Sequence, residues 1–161
     1  MNSISRWAVG LLCCLFLTSE FAIGQTPVPN SAPLEKYCDW SAKDYAISKP
    51  LCGLKGNAER GRKLAINRKK GNCLACHVMP ISEEDFHGTI APPLVGVGAR
   101  YNAGQIRVRI VDIKQINPAS LMPSFYKHPD NLNRVAKKFQ GRPPLTAQET
   151  EDIVAYLETL K

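Results

Sequence analysis

The sequence has no apolar run long enough to span a membrane. Its most apolar stretch, residues 7–17, covers 11 residues, whereas a transmembrane helix requires about 20. Arg6 precedes this stretch, and a small-x-small site at residues 22–24 follows it. This order is typical of a cleavable export signal. We therefore expect residues 1–24 to be a signal peptide, cleaved between Gly24 and Gln25, and the mature protein to have no membrane anchor.

Blocks of lysine and arginine are also missing, and so are recognised nucleic-acid-binding motifs. The chain is nevertheless basic, with a net charge of +7. We expect no nucleic-acid partner, because an exported basic protein is more suited to meet acidic protein surfaces. Internal repeats are absent too, and a length of 161 residues indicates one domain.

The chain has one Cys-x-x-Cys pair and no His-x-x-x-His pair, so a four-ligand zinc site lacks half of its residues. The βαβ pattern expected around a thioredoxin-like dithiol is missing as well. The pair that is present, Cys73 and Cys76, is followed directly by His77, which is the pattern of covalent haem attachment. On one turn of helix the two thiols reach the porphyrin vinyl groups, and the imidazole meets the iron. We therefore predict one haem c, with His77 as an axial ligand.

Two other cysteines would remain after export. Cys13 and Cys14 lie within the predicted signal peptide, whereas Cys38 and Cys52 lie beyond it. Because export leads to an oxidising compartment, we predict a Cys38–Cys52 disulfide; the alternative is two free thiols. Closing a loop of this size stabilises a fold by about 3 kcal/mol on chain-entropy grounds. Residues 25–56 otherwise form an irregular extension that begins as a proline-rich linker.

Three segments carry helix start signals. Asn57 is a good N-cap for a helix over residues 58–66. Asn102 and Thr146 begin capping boxes for two more helices. A short helix is also predicted over residues 132–139, and two prolines exclude regular structure over residues 91–98. We expect Pro118 to stop the helix that begins after Asn102. The apolar stripe of that helix consists of Ile106, Ile110 and Ile113. The stripe of the last helix consists of Ile153, Tyr156, Leu157 and Leu160.

A c-type haem iron has a second axial position. The candidate ligands are Met79, Met122, His87 and His128. Met79 lies two residues after His77 and cannot easily reach the opposite haem face. Met122 lies in a loop that neighbouring prolines stiffen, so we predict Met122 as the ligand, with His87 or His128 as alternatives. A buried thioether ligand raises the redox potential and favours electron transfer.

Pro92 is a candidate partner of His77. Its carbonyl can accept the Nδ1–H of the imidazole and fix the ring; the alternative is that Pro92 and Pro93 only shape a loop. Arg100 and Tyr101 are candidate hydrogen-bond donors to the haem propionates.

The layout resembles class I cytochrome c. The residues that carry the resemblance are Gly61 and Ala65, the segment from Cys73 to His77, Pro92 and Leu94, Met122 and Pro123, and Tyr156 and Leu157. The resemblance covers about residues 57–161. It implies an all-α class I cytochrome c fold, in which the N-terminal and C-terminal helices cross and the haem lies in a loop-lined pocket.

Four longer strings resemble SoxX, the small monohaem subunit of SoxAX cytochrome complexes. They are residues 80–88, 96–101, 117–126 and 141–146. The resemblance implies a periplasmic role in thiosulfate oxidation, beside a SoxA-type subunit whose cysteine-ligated haem is the reacting centre. That complex joins thiosulfate to a cysteine of the SoxYZ carrier and releases two electrons. This chain would receive the electrons and pass them to a soluble cytochrome.

Two other functions stay open at the level of sequence. One is a free-standing cytochrome c shuttle, and the other is a cytochrome subunit of a different periplasmic dehydrogenase. A permanent subunit needs an apolar patch beside the haem edge, whereas a shuttle needs a basic ring for transient docking. The candidates for the patch are Phe86, Phe125 and Tyr126, and those for the ring are Lys127, Arg134, Lys137, Lys138 and Arg142.

Overall fold

In the computed structural model, which describes residues 36–132 and 136–161, four α-helices form the framework. They are α1 (Ala58–Ile66), α2 (Val97–Arg100), α3 (Ala103–Asp112) and α4 (Ala147–Thr159). Short 3-10 turns cover Leu51–Gly53, Cys73–Ala75, Ile113–Gln115, Pro129–Asn131 and Lys137–Phe139. The described residues contain no β-strand, only an isolated bridge between Lys43 and Ala46.

The predicted signal peptide, its cleavage site and the proline-rich linker lie outside the described residues. Within the described part of the chain, no helix combines the length and the apolar character that a membrane span requires.

α1 and α4 cross at the small residues of α1. Asn57 caps α1 as predicted, because its side chain accepts a hydrogen bond from the Arg60 backbone N–H at 2.8 Å. A Cβ added to Gly61 would lie 1.8 Å from the backbone oxygen of Asp152 on α4. Ala65, one turn later, is fully buried. The crossing therefore needs glycine at position 61, which explains why α1 tolerates a residue that lowers helix propensity.

A charged pair reinforces this crossing. Arg60 Nε and Nη2 donate to the two carboxylate oxygens of Asp152 at 2.7 and 2.9 Å. The Asn57 backbone N–H donates to Asp152 Oδ1 at 2.7 Å. The carboxylate is almost fully buried, and these donors compensate for its removal from water.

The capping boxes of α3 and α4 form as predicted, at Asn102–Gln105 and Thr146–Glu149. Ile106 and Ile110 are buried. α3 nevertheless ends at Asp112, whose φ of −158° and ψ of 90° leave the helical region well before Pro118. Ile113 consequently lies in the following 3-10 turn and is only half-buried.

Two other expectations about local structure are wrong. α2 begins inside the segment predicted to be irregular, because Gly96, at φ +69°, turns the chain into a helix beyond the reach of the prolines. The helix predicted over residues 132–139 does not form as one element, because Ala136 is extended, with ψ at 149°. Val135 and Arg134 of that segment lie outside the described residues.

The fold has two adjoining cores. The larger one is formed by α1, α4, the inner face of α3 and the loop after Cys76; its buried members include Ala65, Leu74, Met79, Ile81, Ile106, Ile110, Leu145, Ile153, Tyr156 and Leu157. The smaller one lies where residues 36–56 cover the other face of α3; it contains Ile47, Leu51, Val108, Val111, Tyr126 and Ala147. The irregular extension thus packs against the helices over its described length.

A buried ion pair joins the extension to two helices. Arg107 on α3 and Glu151 on α4 form a bidentate pair, with N–O distances of 2.7 and 2.8 Å. The same guanidinium donates to the Ile47 carbonyl at 2.7 Å, and Glu151 accepts from the Leu51 N–H at 2.8 Å. Both charged side chains are at most 4% exposed. Removing either partner would leave a buried charge, at a cost of about 3–5 kcal/mol.

Candidate haem site

The two cysteines of the predicted attachment motif lie on one 3-10 turn and its C-cap. Asn72 opens the turn with φ at 48° and ψ at 41°, a left-handed conformation that asparagine adopts more readily than most residues. The His77 backbone N–H then donates to the Cys73 carbonyl at 2.9 Å. Neither Cys73 nor Cys76 forms a disulfide in the described part of the chain, so both can form thioethers.

His77 is oriented by a backbone carbonyl. Its Nδ1 lies 2.7 Å from the oxygen of Pro92. Because a carbonyl only accepts hydrogen bonds, Nδ1 carries the proton and Nε2 keeps its lone pair. An imidazole held in this way presents Nε2 to a metal in a fixed orientation.

The loop after the cysteines returns to the attachment turn through backbone hydrogen bonds. Gly88 N–H donates to the Leu74 carbonyl at 2.7 Å, and Ala91 N–H donates to the Cys76 carbonyl at 3.0 Å. Leu94 N–H donates to the Val78 carbonyl at 2.9 Å. A Cβ on Gly88 would lie 2.1 Å from the Ala75 oxygen, so the close approach requires glycine. Pro92 reaches His77 because these bonds fix the path of the loop.

The surroundings of Cys73 are apolar. Burial raises the pKa of its thiol to about 12, so the side chain is a neutral thiol. Cys73 packs against the larger core, which includes Leu74 and Tyr156. Two thiols three positions apart, an imidazole with a free Nε2 and an apolar environment around Cys73 fit a covalently attached haem.

Met122 lies on a different element, the loop that follows α3. It is half-buried, and its backbone N–H donates to Ser120 Oγ at 3.2 Å. Lys114 Nζ donates to the carbonyls of Ser120 and Met122 at 3.0 and 3.4 Å. The loop then rejoins α3, where Phe125 N–H donates to the Ile110 carbonyl at 3.1 Å.

The other candidate distal ligands have different surroundings. Met79 is 3% exposed and belongs to the larger core. His87 Nδ1 accepts from the Met79 N–H at 3.2 Å, so Nε2 carries the proton and a neutral ring has no lone pair left for a metal. His128 packs edge-on against Tyr37, with ring centroids 4.8 Å apart, beside the smaller core. These contacts favour Met122 among the four candidates.

Arg100 and Tyr101 are engaged within the protein. The guanidinium of Arg100 donates to the carbonyls of Val95 and Pro93 at 2.7 and 3.0 Å. The ring of Tyr101 lies under the guanidinium of Arg109, 3.8 Å from its carbon. Arg100 therefore shapes the loop around Pro92. This role was not expected from the sequence, which suggested that Arg100 donates hydrogen bonds to a haem propionate.

The extension reaches the end of the Met122 loop. Cys38 and Cys52 form a disulfide, with their Cα atoms 5.5 Å apart. The Cys38 backbone N–H donates to the Tyr126 hydroxyl at 2.8 Å, and Trp40 Nε1 donates to the Tyr126 carbonyl at 3.2 Å. The ring of Tyr37 stacks on Tyr126, with centroids 4.9 Å apart. These contacts place the extension against the segment that carries Met122.

Asp112 is a buried residue beside the Met122 loop that sequence reasoning did not single out. It is 1% exposed and accepts hydrogen bonds from residues on both sides of Met122. No motif contains it, and its only sequence signal is its position in the last turn of an amphipathic helix.

Comparison with known proteins agrees with this geometry. The family model described as "Cytochrome c" matches residues 58–161. Among solved structures, the chain matches one from the crystal structure of SoxXA from P. pantotrophus, with 37% identity and a TM-score of 0.69. The match covers 76% of this chain and 94% of that one, and it bears out the resemblance to SoxX. No curated protein sequence matches the chain significantly. The chain thus belongs to the cytochrome c family, with an all-α class I fold and a single covalently attached haem c.

Proposed function

We propose that this chain is the electron-transfer subunit of a periplasmic complex of the SoxAX type, which couples thiosulfate to a cysteine of a SoxYZ carrier. The observation that carries the proposal is the 37% identity to a chain of SoxXA over 94% of that chain's length. The reacting centre would lie on a SoxA-type partner, so this chain would supply no catalytic residue. A soluble cytochrome would accept the electrons.

Each residue of the site has a distinct part in this function. Cys73 and Cys76 would form the two thioethers, His77 would hold the iron as the proximal ligand, and Met122 would hold it as the distal one. When bound, the haem supplies a one-electron redox centre. Pro92 keeps the proton on His77 Nδ1 through its 2.7 Å contact, and so keeps Nε2 free for the iron. A neutral thioether from Met122 favours the reduced iron and raises the potential, which suits electron transfer.

The distribution of exposed apolar side chains supports a permanent subunit. Four such residues lie on the loops that carry Pro92 and Met122; this apolar rim consists of Phe86, Ile90, Val95 and Leu121, which are 83%, 75%, 51% and 89% exposed. Large apolar side chains this exposed, on the loops that would surround the haem, indicate a surface that the haem and a partner together cover. Of the three residues expected for the patch, only Phe86 belongs to the rim. Tyr126 is 2% exposed and Phe125 is half-buried, because both pack into the cores.

The predicted basic ring has weaker support. Lys127 lies 3.6 Å from the carboxylate of Asp112 and is partly buried. Arg134 and the side chain of Lys138 lie outside the described residues. The rim therefore favours the subunit over the free shuttle.

Affinity purification tests the proposed partner. The tagged mature protein is purified from the periplasm of its own host grown on thiosulfate, and the co-eluting chains are identified by mass spectrometry. We expect a stoichiometric second cytochrome with cysteine-ligated haem. Phe86→Ser should reduce its recovery. Tyr45→Ser is the matched control, because Tyr45 is also an exposed aromatic side chain, at 67%, but belongs to the extension and not to a rim loop. A soluble monohaem monomer without a stable partner would instead indicate the shuttle.

The ligand assignment has its own test. Met122→Ala should leave the haem attached, because both thioethers remain, and should lower its redox potential, because the thioether ligand is lost. Changing His77 should have a larger effect, since the proximal ligand is lost. Potentiometric titration of the purified holoproteins measures both. An unchanged potential in Met122→Ala would remove Met122 as a ligand.

A further inference from the structure

Asp112 is a buried carboxylate at the base of the Met122 loop. It ends α3 and is 1% exposed. Burying a carboxylate is costly unless hydrogen bonds or opposite charges compensate. The residues that donate hydrogen bonds to this carboxylate therefore indicate which segments of the chain it holds together.

The partners come from both ends of one loop. On the N-terminal side, Lys114 N–H donates to Oδ1 at 3.3 Å and Gln115 Nε2 donates to Oδ2 at 3.1 Å. On the C-terminal side, Ser124 Oγ donates to Oδ1 at 2.7 Å, and Lys127 Nζ lies 3.6 Å from Oδ2. Met122 lies between these two groups in the chain.

The side chain of Lys114 continues the same network into the loop. While its backbone N–H contacts Asp112, its Nζ donates to the carbonyls of Ser120 and Met122. Ser120 in turn accepts from the Met122 N–H. The backbone at Met122 is thus connected to the buried carboxylate through two residues.

We propose that Asp112 is a positioning residue for Met122: its carboxylate joins the two stems of the loop and so holds the Met122 sulfur at the haem iron. The inference rests on the proposed assignment of Met122 as the distal ligand. Losing the carboxylate charge would weaken all four contacts together, and the loop would then leave the iron more often.

Competition with imidazole measures how often Met122 leaves the iron. Added imidazole binds the oxidised iron only when the distal position is open, so its apparent affinity is proportional to the open fraction. The probe is imidazole itself, titrated into the purified holoprotein at fixed pH and followed in the visible spectrum. Met122→Ala gives the affinity of a permanently open site.

The chain offers a matched control for Asp112→Asn. Asp152 is a second aspartate with 2% exposure, but its partners Arg60, Asn57 and Gln148 all belong to the α1–α4 crossing. Asp112→Asn should raise the imidazole affinity about tenfold or more, because hydrogen bonds to a charged acceptor are the strong ones. Asp152→Asn should stay within about twofold of wild type, as expected for an independent site.

A milder variant keeps the test decisive if Asp112→Asn does not fold. Ser124→Ala removes one donor to the carboxylate and leaves the charge in place, so we expect a rise of about fivefold. Equal changes in Asp112→Asn and Asp152→Asn, or no change in Ser124→Ala, would overturn the positioning role. Equal affinities in wild type and Met122→Ala would show a different failure, that of the ligand assignment itself.

Discussion

The two segments that carry the proposed iron ligands, His77 and Met122, are held in different ways. The attachment segment, residues 72–94, is closed by backbone hydrogen bonds, such as Gly88 N–H to the Leu74 carbonyl and Ala91 N–H to the Cys76 carbonyl. The loop that carries Met122, residues 113–127 and here called the distal loop, has backbone bonds at its two ends, where Asn117 N–H donates to the Ile113 carbonyl and Phe125 N–H to the Ile110 carbonyl. Between these ends, side chains contact Met122 and Ser124, above all those of Asp112 and Lys114.

This difference has consequences for how each segment responds to substitution. Backbone bonds need a particular chain path, so the attachment segment should tolerate most side-chain changes and fail where a new atom blocks the path. Side-chain bonds can be deleted one at a time, so the distal loop should loosen in small steps. With His77 and Met122 as the proposed ligands, the proximal one would stay fixed while the exchange of the distal one would be adjustable.

The largest effect is expected from Gly88→Ala in the attachment segment. The new Cβ would lie 2.1 Å from the Ala75 oxygen and 2.7 Å from the Cys76 nitrogen, and neither backbone atom can rotate away. We expect a destabilisation of about 3 kcal/mol, at the upper end of overpacking, together with a loss of attached haem. Denaturant unfolding and the haem content per chain measure the two effects.

Gly141→Ala is the control for this substitution. Gly141 has φ at +73° and no heavy atom within 4 Å of an added Cβ. Its substitution therefore introduces backbone strain of about 1 kcal/mol and no overlap. If Gly88→Ala cost no more than Gly141→Ala, close backbone approach would not be what fixes the attachment segment.

The sequence predicted the helices and the attachment segment better than the distal loop, and the reason is distance along the chain. The capping boxes at Asn102 and Thr146 and the motif from Cys73 to His77 are complete within a few residues, so local chemistry identifies them. The contacts of Tyr126 join residues more than 80 positions apart, and those of Asp112 belong to no motif.

The extension illustrates the same limit. Its residues have little periodicity, so the sequence indicated an irregular segment, yet Leu51 and Ile47 contact a buried ion pair on α3 and α4. The partners Arg107 and Glu151 are 44 positions apart, and each alone reads as an ordinary surface charge on a helix. Only the folded chain brings them together. The prediction of a helix over residues 132–139 shows the opposite limit. There the local sequence pattern suited a helix, but the backbone at Ala136 is extended.

The second-largest effect is expected from removing the disulfide. Replacing Cys38 and Cys52 together by serine should cost about 3 kcal/mol, because the unfolded chain gains freedom. Imidazole affinity should rise as well, because Cys38 contacts Tyr126, four residues after Met122. Haem attachment should be unchanged, because the attachment segment has its own bonds. Thermal unfolding and imidazole titration measure the two effects; a loss of stability with unchanged imidazole affinity would separate the extension from the distal loop.

A smaller effect is expected from Tyr126→Phe. The change removes the hydroxyl that accepts from the Cys38 N–H and keeps the ring that stacks on Tyr37. We expect a loss of about 1 kcal/mol, the usual net value of one hydrogen bond. Tyr45→Phe is the control, because Tyr45 is 67% exposed. Denaturant unfolding compares the two variants, and equal results would mean that this hydrogen bond does not hold the extension on the loop.

The smallest effect is a change in the acid dependence of stability. Burial raises the pKa of Asp112, but hydrogen bonds from Ser124 and Gln115 and the charge of Lys127 outweigh it, so the pKa is lowered overall. A carboxyl with a lowered pKa binds fewer protons folded than unfolded. Its stabilisation is therefore complete above the unfolded value of about 3.9 and is lost as the pH falls through the folded pKa.

Asp112→Asn should remove this contribution and flatten the fall of stability below about pH 4, by at most about 1.4 kcal/mol per pH unit for one group. Burial raises the pKa of Asp152, but hydrogen bonds from Arg60, Asn57 and Gln148 outweigh it, so this pKa is also lowered overall and Asp152→Asn should flatten the same region. Urea unfolding at a series of pH values compares the two. Both carboxyls should affect global stability in the same way, so urea unfolding does not distinguish their roles. Imidazole titration does: a higher imidazole affinity in Asp112→Asn than in Asp152→Asn would show that Asp112 acts on the distal loop. If the acid region were unchanged in Asp112→Asn, folding would not lower the pKa of this carboxyl, and its hydrogen bonds would add no net stabilisation that depends on its charge.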